Sequence, residues 1–80
     1  MHEAKLCLAL IDTATEHLRA AGAQRVVALR VAVGSFSGVV PEALEAAFPV
    51  CAHETAADGA ALEIERVPGR ELVLRDMEVV

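Results

Sequence analysis

Val33-Gly34-Ser35-Phe36-Ser37-Gly38-Val39-Val40-Pro41-Glu42-Ala43-Leu44 is the stretch that decides how this chain folds. Its first residue closes an alternating run. Val27, Leu29, Val31 and Val33 line one face, and Val26, Ala28, Arg30 and Ala32 line the other, which is the period of a strand from Arg25 to Val33. Glycine and serine then break the pattern as a loop. Pro41 suits the first position of a helix, and Glu42 suits its first turn. Leu44, Ala47, Phe48 and Cys51 continue at helical spacing as an apolar stripe. Pro49 lies within that stripe, removes one helical hydrogen bond, and should kink or shorten the helix.

Upstream, Leu6, Cys7, Leu10, Ile11, Ala14, Leu18 and Ala21 recur every three or four residues, which predicts a helix from about Glu3 to Ala21. Lys5, Asp12, Glu16 and Arg19 fall on its opposite face, and Gly22 is a stop signal. Downstream, Ala60 to Val67 reads as a strand with Leu62 and Ile64 inward and Glu63 and Glu65 outward. Pro68-Gly69 is a turn dipeptide, so Glu71 onward should return as an antiparallel hairpin partner of that strand. In this last strand Leu72 and Leu74 share one parity while Met77 and Val79 share the other. A bulge near Arg75-Asp76 would put all four on one face.

The expected order is helix, strand, helix, strand, strand. The strand–loop–helix junction feeds a crossover to a parallel strand, and such crossovers are right-handed. An α+β, two-layer fold follows: a three-stranded mixed sheet with both helices on one face. Residues 1–80 form one domain, with no internal repeat and no linker.

Composition excludes several functions. The formal net charge of -5 and the absence of Trp and Tyr supply neither a basic patch nor stacking platforms, which argues against nucleic acid and against anionic membrane surfaces. No segment approaches the roughly 20 apolar residues that span a bilayer. Glu3 and Asp12 interrupt the amino end as a signal peptide, so the expected compartment is the cytoplasm, with Cys7 and Cys51 as reduced thiols. Neither cysteine belongs to a CxxC pair, so no structural zinc site is expected. The core of so short a chain is small, and it must stand alone or homo-oligomerise.

The candidate chemistry lies at the start, Met1-His2-Glu3. The α-amine, the His2 amide and the His2 imidazole can close fused chelate rings around one divalent ion, and Glu3 can supply a fourth donor. Nitrogen-rich tetragonal coordination suits Ni(II) or Cu(II) over Zn(II), Mg(II) or Ca(II). Spacing alone leaves a second reading open, that of a solvated terminal histidine. His17, late in the first helix, and His53, beside Glu54, read as exposed residues. Cys7 and Cys51 read as buried small thiols on the stripes of the two helices. Glu63 and Glu65 read as a solvated strand face. There is no GxGxxG, P-loop or nucleophile-elbow pattern, so no catalytic residue is assigned.

These residues resemble the HypA/HybF family of hydrogenase nickel-incorporation proteins. The resemblance is carried by the opening MHE with Leu6-Cys7, by Gly22-Ala23 and Arg25-Val26, and by the junction from Val33 to Leu44. Gly59-Ala60-Ala61-Leu62-Glu63-Ile64, Gly69-Arg70-Glu71-Leu72 and Met77-Glu78-Val79 extend it over almost the whole chain. It implies a metallochaperone and not an enzyme, one that binds Ni(II) through the amino terminus and His2, with Met1, His2 and Glu3 as the metal site. It also implies a HypB-type GTPase and the [NiFe]-hydrogenase large subunit as partners. Members of the family carry a zinc module with two CxxC motifs, and here Val67-Pro68-Gly69-Arg70 stands in its place. That departure motivates an alternative, a metal-independent interaction module docking on a hydrogenase or another assembly.

Overall fold

The computed structural model describes residues 3–80. The elements follow the expected order: α1 (Glu3–Ala20), β1 (Val26–Gly34), α2 (Pro41–Ala52), β2 (Ala61–Val67) and β3 (Leu72–Val79). The three strands form one mixed sheet in the order β2-β1-β3, with β1 parallel to β2 and antiparallel to β3. The helices cover one face, where Leu10, Ile11, Leu18, Val26, Leu29, Val31, Leu44 and Phe48 form the core.

α1 stops as its sequence requires. Gly22 takes φ +67, a left-handed conformation that costs glycine little. The Ala23 amide then donates to the Leu18 carbonyl at 3.1 Å, and the Gly22 amide to that of Arg19 at 3.1 Å. These two bonds are the Schellman pattern, and they satisfy carbonyls that the helix end would otherwise leave unpaired.

α2 starts with Pro41 at its first turn but runs through Pro49 to Ala52, so the proline does not shorten it. Pro49 stands in the final turn, where its missing amide removes only one bond, to the Glu45 carbonyl. Pro49 and Glu45 are both exposed, and water can serve that carbonyl.

The hairpin expectation fails. β3 does not pair with β2; the four residues after Val67 carry the chain over the end of β1 to its far edge. The amides at the end of β1 donate to this connection: Gly34 to the Glu71 carbonyl at 2.7 Å, Ser35 to Val67 at 2.9 Å and Phe36 to Gly69 at 2.7 Å. A methyl group on Gly34 would overlap the Gly69 carbonyl and lie 2.7 Å from the Glu71 nitrogen, so only glycine lets the backbones cross here. Central placement lets β1, the most apolar strand, pair both of its backbone edges, which a buried strand must do.

Two bulges set the faces. Between Arg30↔Asp76 and Val31↔Leu74 the register skips Arg75, as the parity slip in the sequence predicts. Leu72, Leu74, Met77 and Val79 are accordingly all half-buried against the core. The second skip, at Val27, is not expected from the sequence. It turns Val26 to the core face beside Leu29 and Val31, and Val26 is buried while Val27 is only half-buried.

Candidate functional site

Of the predicted metal site, Met1 and His2 lie outside the described residues. Glu3 is the first residue of α1 and is half-buried, an acid in a first turn where the helix dipole favours it. What surrounds this turn is described, and it is a contact between helices. The Ala4 carbonyl accepts a weak bond from the Cys51 thiol at 3.8 Å, and the Leu44 carbonyl accepts one from the Cys7 thiol at 3.6 Å. The helices run in opposite senses at this contact, since Ala4 meets Cys51 and Cys7 meets Leu44.

Cys7 is fully buried and Cys51 half-buried, so the expectation of two buried thiols holds for the first and only partly for the second. Burial pushes the Cys7 thiol up from the ordinary 9.0 to about 11. The neighbouring Cys51 and the charge of Glu3 act in the same direction. A thiol held in this way is neutral at pH 7, which makes it a poor nucleophile and a poor metal donor. The sequence places each cysteine on the correct stripe. It carries no local signal that the two come to one helix crossing, because their meeting depends on the antiparallel packing of α1 on α2.

The other histidines are where the sequence puts them, on the surface. His17 is exposed in the last turn of α1. His53 is exposed after α2, its Nδ1 3.6 Å from the Asp58 carboxylate. Glu63 and Glu65 lie on the outer face of the sheet and are ion-paired, with Arg30 at 3.6 Å and Arg75 at 3.3 Å. Glu42, in the first turn of α2, is paired with Arg66, whose hydrogen bond holds its carboxyl below the usual range. Among the described residues no cluster of three or more His, Cys, Asp or Glu side chains is placed to hold a metal ion. Among the described residues no helix is long and apolar enough to cross a membrane.

A family model for hydrogenase/urease nickel incorporation metallochaperones, HypA, matches residues 1–74. The chain belongs to the HypA family. It is 62% identical over 69 residues to the hydrogenase maturation factor HypA of Deinococcus radiodurans, a match covering 86% of this chain and 58% of that protein. Against the HypA of Geobacter metallireducens it is 41% identical over 70 residues, covering 88% of this chain and 61% of the relative. The chain thus spans about three-fifths of the length of these HypA relatives. The solution structure of the Ni metallochaperone HypA from Helicobacter pylori superposes with a TM-score of 0.74 at 16% identity, covering all of this chain and 94% of that one. At that identity the likeness establishes the HypA fold alone.

Proposed function

We propose that residues 1–80 are one nickel-binding domain that carries Ni(II) as cargo for [NiFe]-hydrogenase maturation. The α-amine, the His2 amide and imidazole, and Glu3 are the donors. The observation that carries this reading is the HypA family match, which begins at residue 1 and so takes in Met1-His2-Glu3. The donor set supports it, because amine, amide and imidazole nitrogens favour tetragonal Ni(II). A site of few ligands can release its ion by stepwise ligand exchange, which suits delivery better than storage. The partners on this reading are a HypB-type GTPase and the hydrogenase large subunit, and the compartment is the cytoplasm.

Calorimetric titration of the metal-free chain with Ni(II) tests it. His2→Ala and acetylation of the α-amine should each weaken binding by about 100-fold or more, since loss of even an outer-shell partner costs roughly 10–100-fold. Affinity should also fall steeply with acid, because the amine and amide must lose protons to bind. Unchanged affinity in both altered proteins would sink the assignment.

A second reading rests on the short connection from β2 to β3 and on the absence of any CxxC pair in the chain. Without a zinc module, the domain serves as a metal-independent docking module. A partner complex that forms equally well under chelation, with Met1 buried in it, would favour that reading.

A further inference from the structure

The two cysteines of this chain are 44 positions apart in sequence and meet at one helix crossing. A helical side chain leans back over the turn that precedes it. Cys7 therefore covers the turn of Glu3 and Ala4, which is where the Cys51 sulfur lies, 3.8 Å from the Ala4 carbonyl. From the other side, the Cys7 sulfur lies 3.6 Å from the carbonyl of Leu44, two turns before Cys51 on the same stripe of α2. Each thiol thus reaches across the crossing to a carbonyl of the opposite helix, and the two lie close enough for Cys51 to act on the Cys7 thiol. Both are free thiols. Their burial is unequal, with Cys51 open to solvent on one side and Cys7 closed off.

We propose that Cys7 and Cys51 are a redox modification site that closes into a reversible disulfide between α1 and α2 when a small-molecule disulfide is the oxidant. The unequal burial orders the steps. The Cys51 thiolate attacks one sulfur of the small disulfide. The S–S bond of the oxidant breaks, its second sulfur leaves as a thiolate, and that thiolate takes up a proton. The Cys7 thiol then attacks the Cys51 sulfur and passes its proton to the departing small thiolate, which leaves as the second small thiol. The protein dithiol has lost two electrons and two protons, and the oxidant has become two thiols. Closing the bond ties the first turns of α1 to the last turn of α2. This inference is independent of nickel binding and is tested on the metal-free chain.

The full chain is incubated in glutathione buffers of rising oxidised fraction, unfolded, alkylated and weighed. The expected product is a monomer lighter by two hydrogens with no alkylatable thiol, and proteolysis should yield residues 7 and 51 in one linked peptide. Because the crosslink closes a long loop, its melting temperature should rise by roughly 10 °C or more and fall back on reduction. Cys51→Ser removes the half-exposed partner without emptying the core; it should keep one alkylatable thiol and show no rise. A glutathione adduct that persists on Cys51, a dimer linked between chains, or two thiols still alkylatable at the oxidising limit would each overturn the proposal. So would a rise in melting temperature shared by Cys51→Ser.

Discussion

The two faces of the sheet are built on opposite terms. The inner face meets the helices with aliphatic side chains, and Leu29, Val31 and Val33 on β1 are at most 2% exposed. The outer face is a layer of paired charge. Arg30 bonds Asp76 on one neighbouring strand at 2.9 Å and reaches Glu63 on the other at 3.6 Å. The Arg75–Glu65 pair spans from one edge strand to the other across β1, and Ala32, opposite Glu65 in register, is fully buried on that face. All of these charged side chains are about half exposed, so water screens them. The difference teaches where the stability lies. Burial contributes about 25 cal/mol per Å² of apolar area, whereas an exposed ion pair contributes about 0–1 kcal/mol.

The most severe test of that contrast uses the chain's two phenylalanines. Phe48 is 2% exposed in the core and Phe36 is 77% exposed on the β1–α2 loop. Phe48→Ala should cost about 3–5 kcal/mol in urea unfolding, and Phe36→Ala less than about 0.5 kcal/mol. Comparable losses would mean that the inner face is not the seat of stability. A domain of this size carries only about 4–12 kcal/mol in total, so the first substitution should leave much of the chain unfolded.

Gly34 probes the place where the faces end and backbone crosses backbone. Gly34→Ala should cost about 3 kcal/mol through overpacking, because the Gly69 carbonyl and Glu71 nitrogen that a methyl would meet are main-chain atoms with little freedom to move. A melting temperature unchanged by this substitution would show that the connection is loose.

Cys7 gives the inner layer a pH signature. Its thiol is raised from 9.0 to about 11 in the fold. Between these values the unfolded chain has lost the proton and the folded chain keeps it. Stability is therefore full below pH 9 and falls as pH climbs toward 11, by on the order of 2 kcal/mol. With no tyrosine and a single lysine, Lys5, the chain has few other groups that titrate in this window. Cys7→Ser, which does not ionise, should flatten the decline in denaturant midpoint across pH 9–11.

The smallest effect belongs to the outer face. Arg30→Met deletes both of its ion pairs yet keeps an unbranched stem over the sheet, so the expected loss is below about 1 kcal/mol and should shrink further in high salt. A loss as large as that of a core truncation would erase the distinction between the faces.

Much of this was legible in the chain itself. The stripe from Leu6 to Leu18, the stop at Gly22, the start at Pro41 and the slip at Arg75 are local signals, set by contacts three or four residues apart or by the alternation of a strand. The candidate nickel site was legible only as three adjacent residues, Met1, His2 and Glu3, since a chelate of neighbouring atoms needs no tertiary structure to be noticed. Phe36 and Phe48 show the limit, for hydropathy does not separate an aromatic that the loop leaves outside from one that the helix buries.

The sequence by itself determined the order of elements, the apolar face of each helix and of β2 and β3, and the tie to the HypA family. Those follow from short-range periodicity and from residues that stand side by side. Only the tertiary structure decided that the connection after β2 passes over Gly34 so that β3 pairs with β1, that Val26 turns inward at the Val27 bulge, that α2 continues through Pro49, and that Cys7 and Cys51 come to one helix crossing. Each of these depends on which distant backbone lies alongside, and that choice is made by close packing and by pairing every buried amide and carbonyl at once.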